Sequence, residues 1–351
     1  MITDTRARLS SSMEVAMVFR SGGLVVLFGA LLATSFVRMV VAEPNPSLVL
    51  ERTIPLKGVS GRIDHLAVDL GRHRLFVAEL GNNTVDVIDL ASGQALHRIG
   101  DLKEPQGVAY TKQGDVLAVA NAGDGSVRLF RADDFSAVGT VALGDDADNI
   151  RVEPRRGRLI VGYGRGGLAI LDPTSRSLVG TINLEAHPEG FQIDPRTQRG
   201  FVNVPDARQI AVVDLEARKQ IATWKVPAAR ANFPMAIDGD AARLATVFRN
   251  PARLILLDTA TGEVVSNLPA CADSDDVFFD AKRRRIYVSC GEGAVDVFQG
   301  SAAGYQAADR IKTSSGARTS LFVPELDRLF VAARAGLLGS DASILVFRPA
   351  P

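Results

Sequence analysis

The sequence has little of what most often marks a catalytic or nucleic-acid-binding protein. Of its 351 residues only 4 are histidine and 2 are cysteine, and 6% are aromatic. Lys+Arg and Asp+Glu are equal at 40 each, so bulk charge does not favour a nucleic-acid partner. The sequence contains no GxSxG elbow, no Ser-His-Asp order and no haem attachment motif. The sequence therefore contains no recognisable set of catalytic residues.

The composition that remains is that of a globular, turn-rich protein with a targeting segment at its start. Hydrophobic residues make up 46% of the chain, and there are 32 glycines. Arginines precede the apolar run SGGLVVLFGALLATSFV, and small residues precede Glu43, so residues 1–42 are predicted to be a cleaved secretory signal peptide. The alternative is an uncleaved anchor, for which the run is short. Initiation at Met13 or Met17 is a further alternative to Met1.

Residues 43–351 are predicted to form one domain built from a seven-fold repeat. An apolar pair opens each unit, and successive pairs lie 42, 42, 41, 44, 42 and 44 residues apart. The pairs are Leu66/Val68, Val108/Tyr110, Ile150/Val152, Phe191/Ile193, Met235/Ile237, Val277/Phe279 and Leu321/Val323. A repeat near 42 residues with four short alternating strands is typical of a β-propeller blade.

The sequence therefore predicts an all-β fold, a seven-bladed β-propeller with four antiparallel strands in each blade. The seventh unit ends after its third strand, whereas a spare strand, LVLERTIPL at 48–56, precedes the first unit. We expect this N-terminal strand to complete the last blade, because that pairing closes the ring and removes an open sheet edge.

The segment RLFVAELGNNTVDVIDLASGQALHRI in the first unit resembles the YVTN-type repeat of the YncE-like propellers. The resemblance extends over the predicted domain and is weaker in units 2, 5 and 7. It implies a seven-bladed propeller outside the cytoplasm, periplasmic or secreted, with a binding or scaffold role. We expect a monomer that binds an unknown small ligand or periplasmic protein partner.

In a propeller, the loops that enter each innermost strand share one face around the central channel. Two positions before each apolar pair stand Asp64, Gln106, Asp148, Glu189, Phe233, Asp275 and Thr319. The predicted ligand-binding face comprises Asp64, His65, Gln106, Asp148, Asn149, His187, Glu189, Asn203, Asn232, Asp275, Asp276 and Arg318. The alternative interpretation is that Asp, Asn and Thr stand at loop-to-strand junctions because they hydrogen-bond nearby backbone.

A ring of carboxylates could hold a divalent cation such as Ca²⁺, or it could meet a cationic or polyhydroxylated ligand. The candidate metal ligands are Asp148, Glu189 and Asp275. Beyond such a cation, the sequence indicates no cofactor.

The two cysteines, Cys271 and Cys290, flank the first hairpin of the sixth unit. Pairing that hairpin sets Val277 opposite Val288 and places Cys290 near Asp275. We predict a disulfide, since an exported chain with two cysteines favours one. The alternatives are a reactive thiol, which lacks an apparent activating base, and a metal pair, which lacks further ligands nearby.

Three functions remain open. The leading hypothesis is a non-enzymatic binding propeller that uses the polar face. The second is a lactonase-like or lyase-like metalloenzyme, in which a metal polarises a carbonyl. In such an enzyme Glu and Asn or Asp residues hold the metal. The residues that match these ligands by type and by face are Asp148, Asn149, Glu189, Asn203 and Asp275. The third is an accessory subunit of a periplasmic redox complex.

Overall fold

The repeat units fold into seven separate four-stranded antiparallel sheets arranged in a ring, which confirms the predicted propeller. The computed structural model describes residues 46–336 and 341–351. The predicted signal peptide at 1–42 lies outside the described residues and stays a prediction. The helical structure in the described part of the chain is one short 3₁₀ turn at Leu80–Asn82.

Each blade is a meander of four consecutive strands, apart from the last. From the first strand outward, blades 1 to 3 consist of β2 (Leu66–Asp69), β3 (Arg74–Glu79), β4 (Thr84–Asp89) and β5 (Gln94–Ile99); β6 (Pro105–Thr111), β7 (Val116–Asn121), β8 (Ser126–Arg131) and β9 (Ala137–Ala142); β10 (Ala147–Val152), β11 (Leu159–Tyr163), β12 (Gly167–Asp172) and β13 (Ser177–Asn183).

Blades 4 to 6 follow the same plan. They consist of β14 (Phe191–Ile193), β15 (Arg199–Val204), β16 (Gln209–Asp214) and β17 (Lys219–Trp224); β18 (Arg230–Asp238), β19 (Arg243–Asn250), β20 (Ala252–Asp258) and β21 (Val264–Pro269); β22 (Ser274–Asp280), β23 (Arg285–Cys290), β24 (Ala294–Ser301) and β25 (Gly304–Lys312).

Blade 7 joins the two ends of the described chain. Its strands are β26 (Ser320–Val323), β27 (Arg328–Ala333), β28 (Ala342–Pro349) and β1 (Leu48–Leu56). The outermost strand, β1, pairs antiparallel with β28, so that Leu56 lies opposite Ala342. Strand β26 also contacts β2 of blade 1, and this contact completes the ring. The predicted closure by an N-terminal strand is confirmed.

The core consists of seven hydrophobic clusters, each between two neighbouring blades. Strand β11 shows how the alternation of a strand produces this arrangement. Its Leu159 and Val161 lie in the cluster between blades 2 and 3, whereas Ile160 lies in the cluster between blades 3 and 4. Both faces of a blade are thus buried against its neighbours, as a propeller requires.

Candidate functional site

The first strands of several blades begin around one cavity of about 250 Å³, at the face that the sequence analysis singled out. Ten of the twelve predicted face residues line it: Asp64, His65, Gln106, Asp148, Asn149, His187, Glu189, Asp275, Asp276 and Arg318. Eight further residues complete the wall: Arg62, Asp146, Arg151, Gly190, Phe233, Pro234, Met235 and Arg249. The cavity is thus lined by ionisable groups of both signs.

Irregular pairing at the start of four first strands explains how neighbouring residues reach the same cavity. The register shifts between Pro105 and Val108, between Ala147 and Ile150, between Asn232 and Met235, and between Ser274 and Asp276. In a regular strand two consecutive side chains point to opposite faces, whereas a bulge can turn both toward one side. Asp148 and Asn149 both line the cavity for this reason.

The structure does not bring Asn203 and Asn232 to the cavity. Asn203 donates from Nδ2 to the carbonyl oxygens of Phe233 and Pro234, at 2.9 and 3.1 Å. Asn232 donates from Nδ2 to Asn203 Oδ1 at 2.7 Å and to the carbonyl oxygen of Gln209 at 3.0 Å. Both amides are fully buried and hold the irregular start of β18 in place. Here the backbone-bonding interpretation of the polar residues applies.

In blade 7, the residue two positions before the apolar pair, Thr319, does not line the cavity. The hydroxyl of Thr319 donates to the carbonyl oxygen of Ile63 at 3.2 Å and is buried. The cavity wall from this blade is formed instead by Arg318.

Arginines hold two of the carboxylates in the cavity wall. Arg249 Nη2 donates to Asp275 Oδ1 at 2.8 Å, and Arg318 Nε lies 2.9 Å from Asp275 Oδ2. Arg62 Nη2 lies 2.7 Å from Asp64 Oδ2, although the two groups are not aligned for a hydrogen bond. Burial is the largest effect on both acids. It raises the pKa of Asp64 to about 7, and it also raises the pKa of Asp275.

His187 lies among acceptors. Its Nδ1 is 2.5 Å from the carbonyl oxygen of Gly164 and 3.7 Å from Asp146 Oδ2, and its Nε2 is 3.8 Å from Asp148 Oδ2. Burial alone would lower the pKa of His187, but the hydrogen bonds and negative charges around it outweigh burial and raise its pKa to about 9. His187 is therefore a cation at neutral pH.

The remaining groups are shifted mainly by burial. Burial raises the pKa of Glu189 to about 8, with the charge of Asp148 acting in the same direction. It raises the pKa of Asp276 well above its usual value, although Asp276 Oδ2 accepts the Ser320 N–H at 2.7 Å. Burial lowers the pKa of His65.

Of the three candidate metal ligands, one is already engaged by arginines. Within residues 46–336 and 341–351, no group of three or more His, Cys, Asp or Glu side chains could hold a metal ion. Of the candidate ligands, Asp275 is held between Arg249 and Arg318. Guanidinium groups at these distances occupy the oxygens that a cation would need.

The predicted disulfide is confirmed. Cys271 and Cys290 are bonded, with their Cα atoms 5.9 Å apart, and both are buried in the core between blades 5 and 6. Val277 lies opposite Val288, and Cys290 pairs with Ser274, next to Asp275. The bond thus ties the loop before β22 to the end of β23, at the rim of the cavity.

Three lining arginines were missed by the sequence analysis. Arg249 lies near the end of β19, a second strand, and second strands end on the face where first strands begin. Arg62 stands two residues before Asp64, in the same entering loop. Arg151 stands between the two members of the apolar pair Ile150/Val152.

No helix among the described residues is long and apolar enough to cross a membrane. A buried disulfide is typical of proteins in an oxidising, non-cytoplasmic compartment.

Comparison with known proteins shows the fold. No protein-family model and no curated protein matches the sequence. A chain of the Kuenenia stuttgartiensis Hydrazine Synthase structure is similar with a TM-score of 0.72 and 15% identity, over 84% of this chain and 99% of that one. A chain of the Mitotic Checkpoint Complex crystal structure is similar with a TM-score of 0.73 and 17% identity, over 93% of this chain and 100% of that one. At these identities the likeness shows that the chain is a seven-bladed β-propeller.

Proposed function

We propose that the protein is an exported β-propeller that binds a small polar ligand in the cavity at the channel mouth. One observation carries the proposal: twelve of the eighteen lining residues are ionisable, six with carboxyl groups, four with guanidinium groups and two with imidazoles. Burying such groups costs free energy, so a cavity that gathers them is poorly explained by stability alone. Its volume of about 250 Å³ is close to the lower end of small-ligand pockets, roughly 300 Å³.

Export is supported by the buried disulfide and by the apolar N-terminal run that precedes Glu43. The resemblance of the first repeat to the YVTN type supports placing the chain among the YncE-like propellers. Within that family a binding role is the expected one, which agrees with the cavity.

A protein partner is the second candidate, because the similar chain in the Mitotic Checkpoint Complex structure belongs to a multi-protein assembly. The exposed apolar side chains favour it less. Large ones in the described residues are spread over the outer strands of five blades: Leu50, Leu96, Leu178, Ile221, Val264 and Val265. A docking surface usually presents such side chains together.

The test uses two glutamines at opposite ends of β6. Gln106 lines the cavity, whereas Gln113 is exposed in the turn beyond Thr111. The variant Gln106→Trp should fill the cavity, and Gln113→Trp is the matched control on the far face. Each mature protein is incubated with a polar metabolite extract, washed by ultrafiltration and denatured, and the released compounds are identified by mass spectrometry.

We expect wild type and Gln113→Trp to retain the same compound and Gln106→Trp to lose it, with all three proteins melting as folded β-structure. Retention by Gln106→Trp at the wild-type level would contradict the proposal, as would the absence of any retained small molecule on wild type.

A further inference from the structure

Arg151 is unusual for its position in the repeat. The residue between the two members of the apolar pair is Ala67, Ala109, Arg151, Gln192, Ala236, Phe278 and Phe322 in blades 1 to 7. Ile150 packs in the core between blades 2 and 3, so strand alternation turns Arg151 to the other side, toward Phe191 of blade 4 and the cavity. A guanidinium thus stands where six other blades carry an uncharged side chain.

Among the residues that the structure describes, no partner of opposite charge contacts Arg151. Its Nη1 donates to the carbonyl oxygen of Ile150 at 2.8 Å, and its guanidinium carbon lies 5.6 Å from the centre of the Phe191 ring. No carboxylate oxygen of residues 46–336 or 341–351 lies within 4.0 Å of it. Arg62, Arg249 and Arg318 each have such a partner. Four of the five N–H groups of Arg151 therefore have no acceptor within residues 46–336 and 341–351.

Two unpaired groups nearby can accept hydrogen bonds. Asn149 is 3% exposed and lines the cavity, and no donor in the described chain reaches its Oδ1. The carboxyl group of Glu189 also lines the cavity without a hydrogen bond to any described residue. A buried polar atom without a partner costs free energy, which a bound ligand with hydrogen-bond donors would recover.

We infer, on the basis of the proposed function, that the ligand is a small monocarboxylate that also carries hydroxyl or ammonium donors. The planar guanidinium of Arg151 binds the carboxylate through paired N–H groups. Asn149 Oδ1 and the Glu189 carboxyl accept from the donors of the ligand. A phosphate or a polycarboxylate fits less well, because Arg151 is the one lining arginine without a carboxylate partner among the described residues, and a single guanidinium balances a single negative charge. The sequence analysis expected a cationic or polyhydroxylated ligand from the carboxylates alone, and Arg151 adds a carboxylate to that expectation.

The experiment compares probes that differ in the carboxylate. D-Gluconate and L-serine carry a carboxylate with hydroxyl or ammonium donors. Sorbitol and serinol replace that carboxylate by a hydroxymethyl group, and putrescine is a cation. Binding of each probe to the mature protein is measured by isothermal titration calorimetry and by the shift in melting temperature.

The variant Arg151→Ala removes the guanidinium and introduces the side chain that three sibling blades carry at this position. Arg128→Ala is the matched control. Arg128 likewise donates to one carbonyl oxygen, that of Asp101 at 2.8 Å, and its guanidinium carbon lies 5.2 Å from the centre of a phenylalanine ring, but it does not line the cavity.

We expect gluconate or serine to bind wild type and Arg128→Ala, with sorbitol, serinol and putrescine binding at least about tenfold more weakly. Arg151→Ala should weaken carboxylate binding on the order of 10- to 100-fold while remaining folded. Arg151→Lys should bind the carboxylate with intermediate affinity, because lysine keeps the positive charge but lacks the paired N–H groups of the guanidinium.

The inference is overturned if neither carboxylate binds, if Arg151→Ala binds as wild type does, or if sorbitol, serinol or putrescine binds as tightly as gluconate or serine. In the last case, loss of that binding in Gln106→Trp would leave the proposed function standing while the carboxylate inference falls.

Discussion

The guanidinium of Arg151 lies 5.6 Å from the ring centre of Phe191, on the neighbouring blade. The contact holds the arginine across a blade interface without neutralising it, because a ring face attracts a cation weakly and takes none of its N–H groups. The arginine is thereby positioned and still able to bind.

The stability of the protein should decrease as the pH rises from about 5 to 8. Burial raises the pKa of Glu189 from 4.5 to about 8, so the folded state keeps a proton that the unfolded chain has released. The raised pKa values of Asp64 and His187, about 7 and about 9, have the same sign. Each such proton lowers the free energy of unfolding by up to about 1.4 kcal/mol per pH unit between the unfolded-state and folded-state pKa values. Its stabilising contribution is lost once the pH passes the folded-state pKa.

Urea denaturation of wild type and Glu189→Gln at pH 5, 6.5 and 8 measures this effect. The variant should show a shallower fall in the free energy of unfolding. Glu185→Gln is the control, since Glu185 is exposed in the same connecting segment. An identical pH dependence in wild type and Glu189→Gln would contradict the burial of this carboxyl group.

Removal of the disulfide should destabilise the protein without changing its fold. The bond closes a loop between residues 19 apart in sequence, which corresponds to about 3 kcal/mol in the chain-entropy model. The double variant Cys271→Ala/Cys290→Ala should therefore have a lower unfolding midpoint in urea and an unchanged far-UV spectrum. Thiol titration of unreduced wild type in urea should find no free thiol, and two thiols would refute the bond.

A single methyl group at Gly107 should disturb the cavity. A Cβ at this position would lie 2.1 Å from the carbonyl oxygen of Asp148, at the bulge of β10. Gly107→Ala should cost about 1–3 kcal/mol of stability and weaken gluconate binding, because β10 has to move. Gly100→Ala is the control, since its Cβ would meet nothing within 4 Å. Equal melting temperatures for the two variants would contradict the close approach.

Calcium should have little effect on the protein. Asp64 and Asp275, two carboxylates of the cavity wall, already face arginine nitrogens at 2.7–2.9 Å. We expect metal analysis of the mature protein to find less than stoichiometric metal, and CaCl₂ or EDTA to leave its melting temperature unchanged. A stoichiometric ion, or a lower melting temperature in EDTA, would support the metalloenzyme hypothesis instead.

The sequence was sufficient to predict the ring. The recurrence of the apolar pairs determines the number of blades, and the incomplete seventh unit with the spare strand at 48–56 identifies the strand that closes the ring. The residue types in a single loop were less informative about which side chains line the cavity. Asn203 and Asn232 have the same residue type as Asn149, yet they bond backbone carbonyls behind the cavity wall. Bulges decide which of two neighbouring polar residues faces the cavity, and no sequence signal for them was evident in these loops.

Arg151 shows that the repeat contains more information than its most regular positions. A comparison of the seven residues between the apolar pairs would have singled it out, because only that blade places a charge there. Its lack of an acidic partner, however, depends on the arrangement of side chains from several blades. That arrangement became visible only in the structure.

The most direct test of the account is a crystal structure of the mature protein grown with D-gluconate. The account predicts ligand density in the channel-mouth cavity, with the carboxylate oxygens about 2.7–3.2 Å from the guanidinium nitrogens of Arg151 and the ligand hydroxyls near Asn149 and Glu189. Gluconate seated instead in the larger groove of about 820 Å³ beside β1 and β25, with the channel mouth holding solvent, would contradict it.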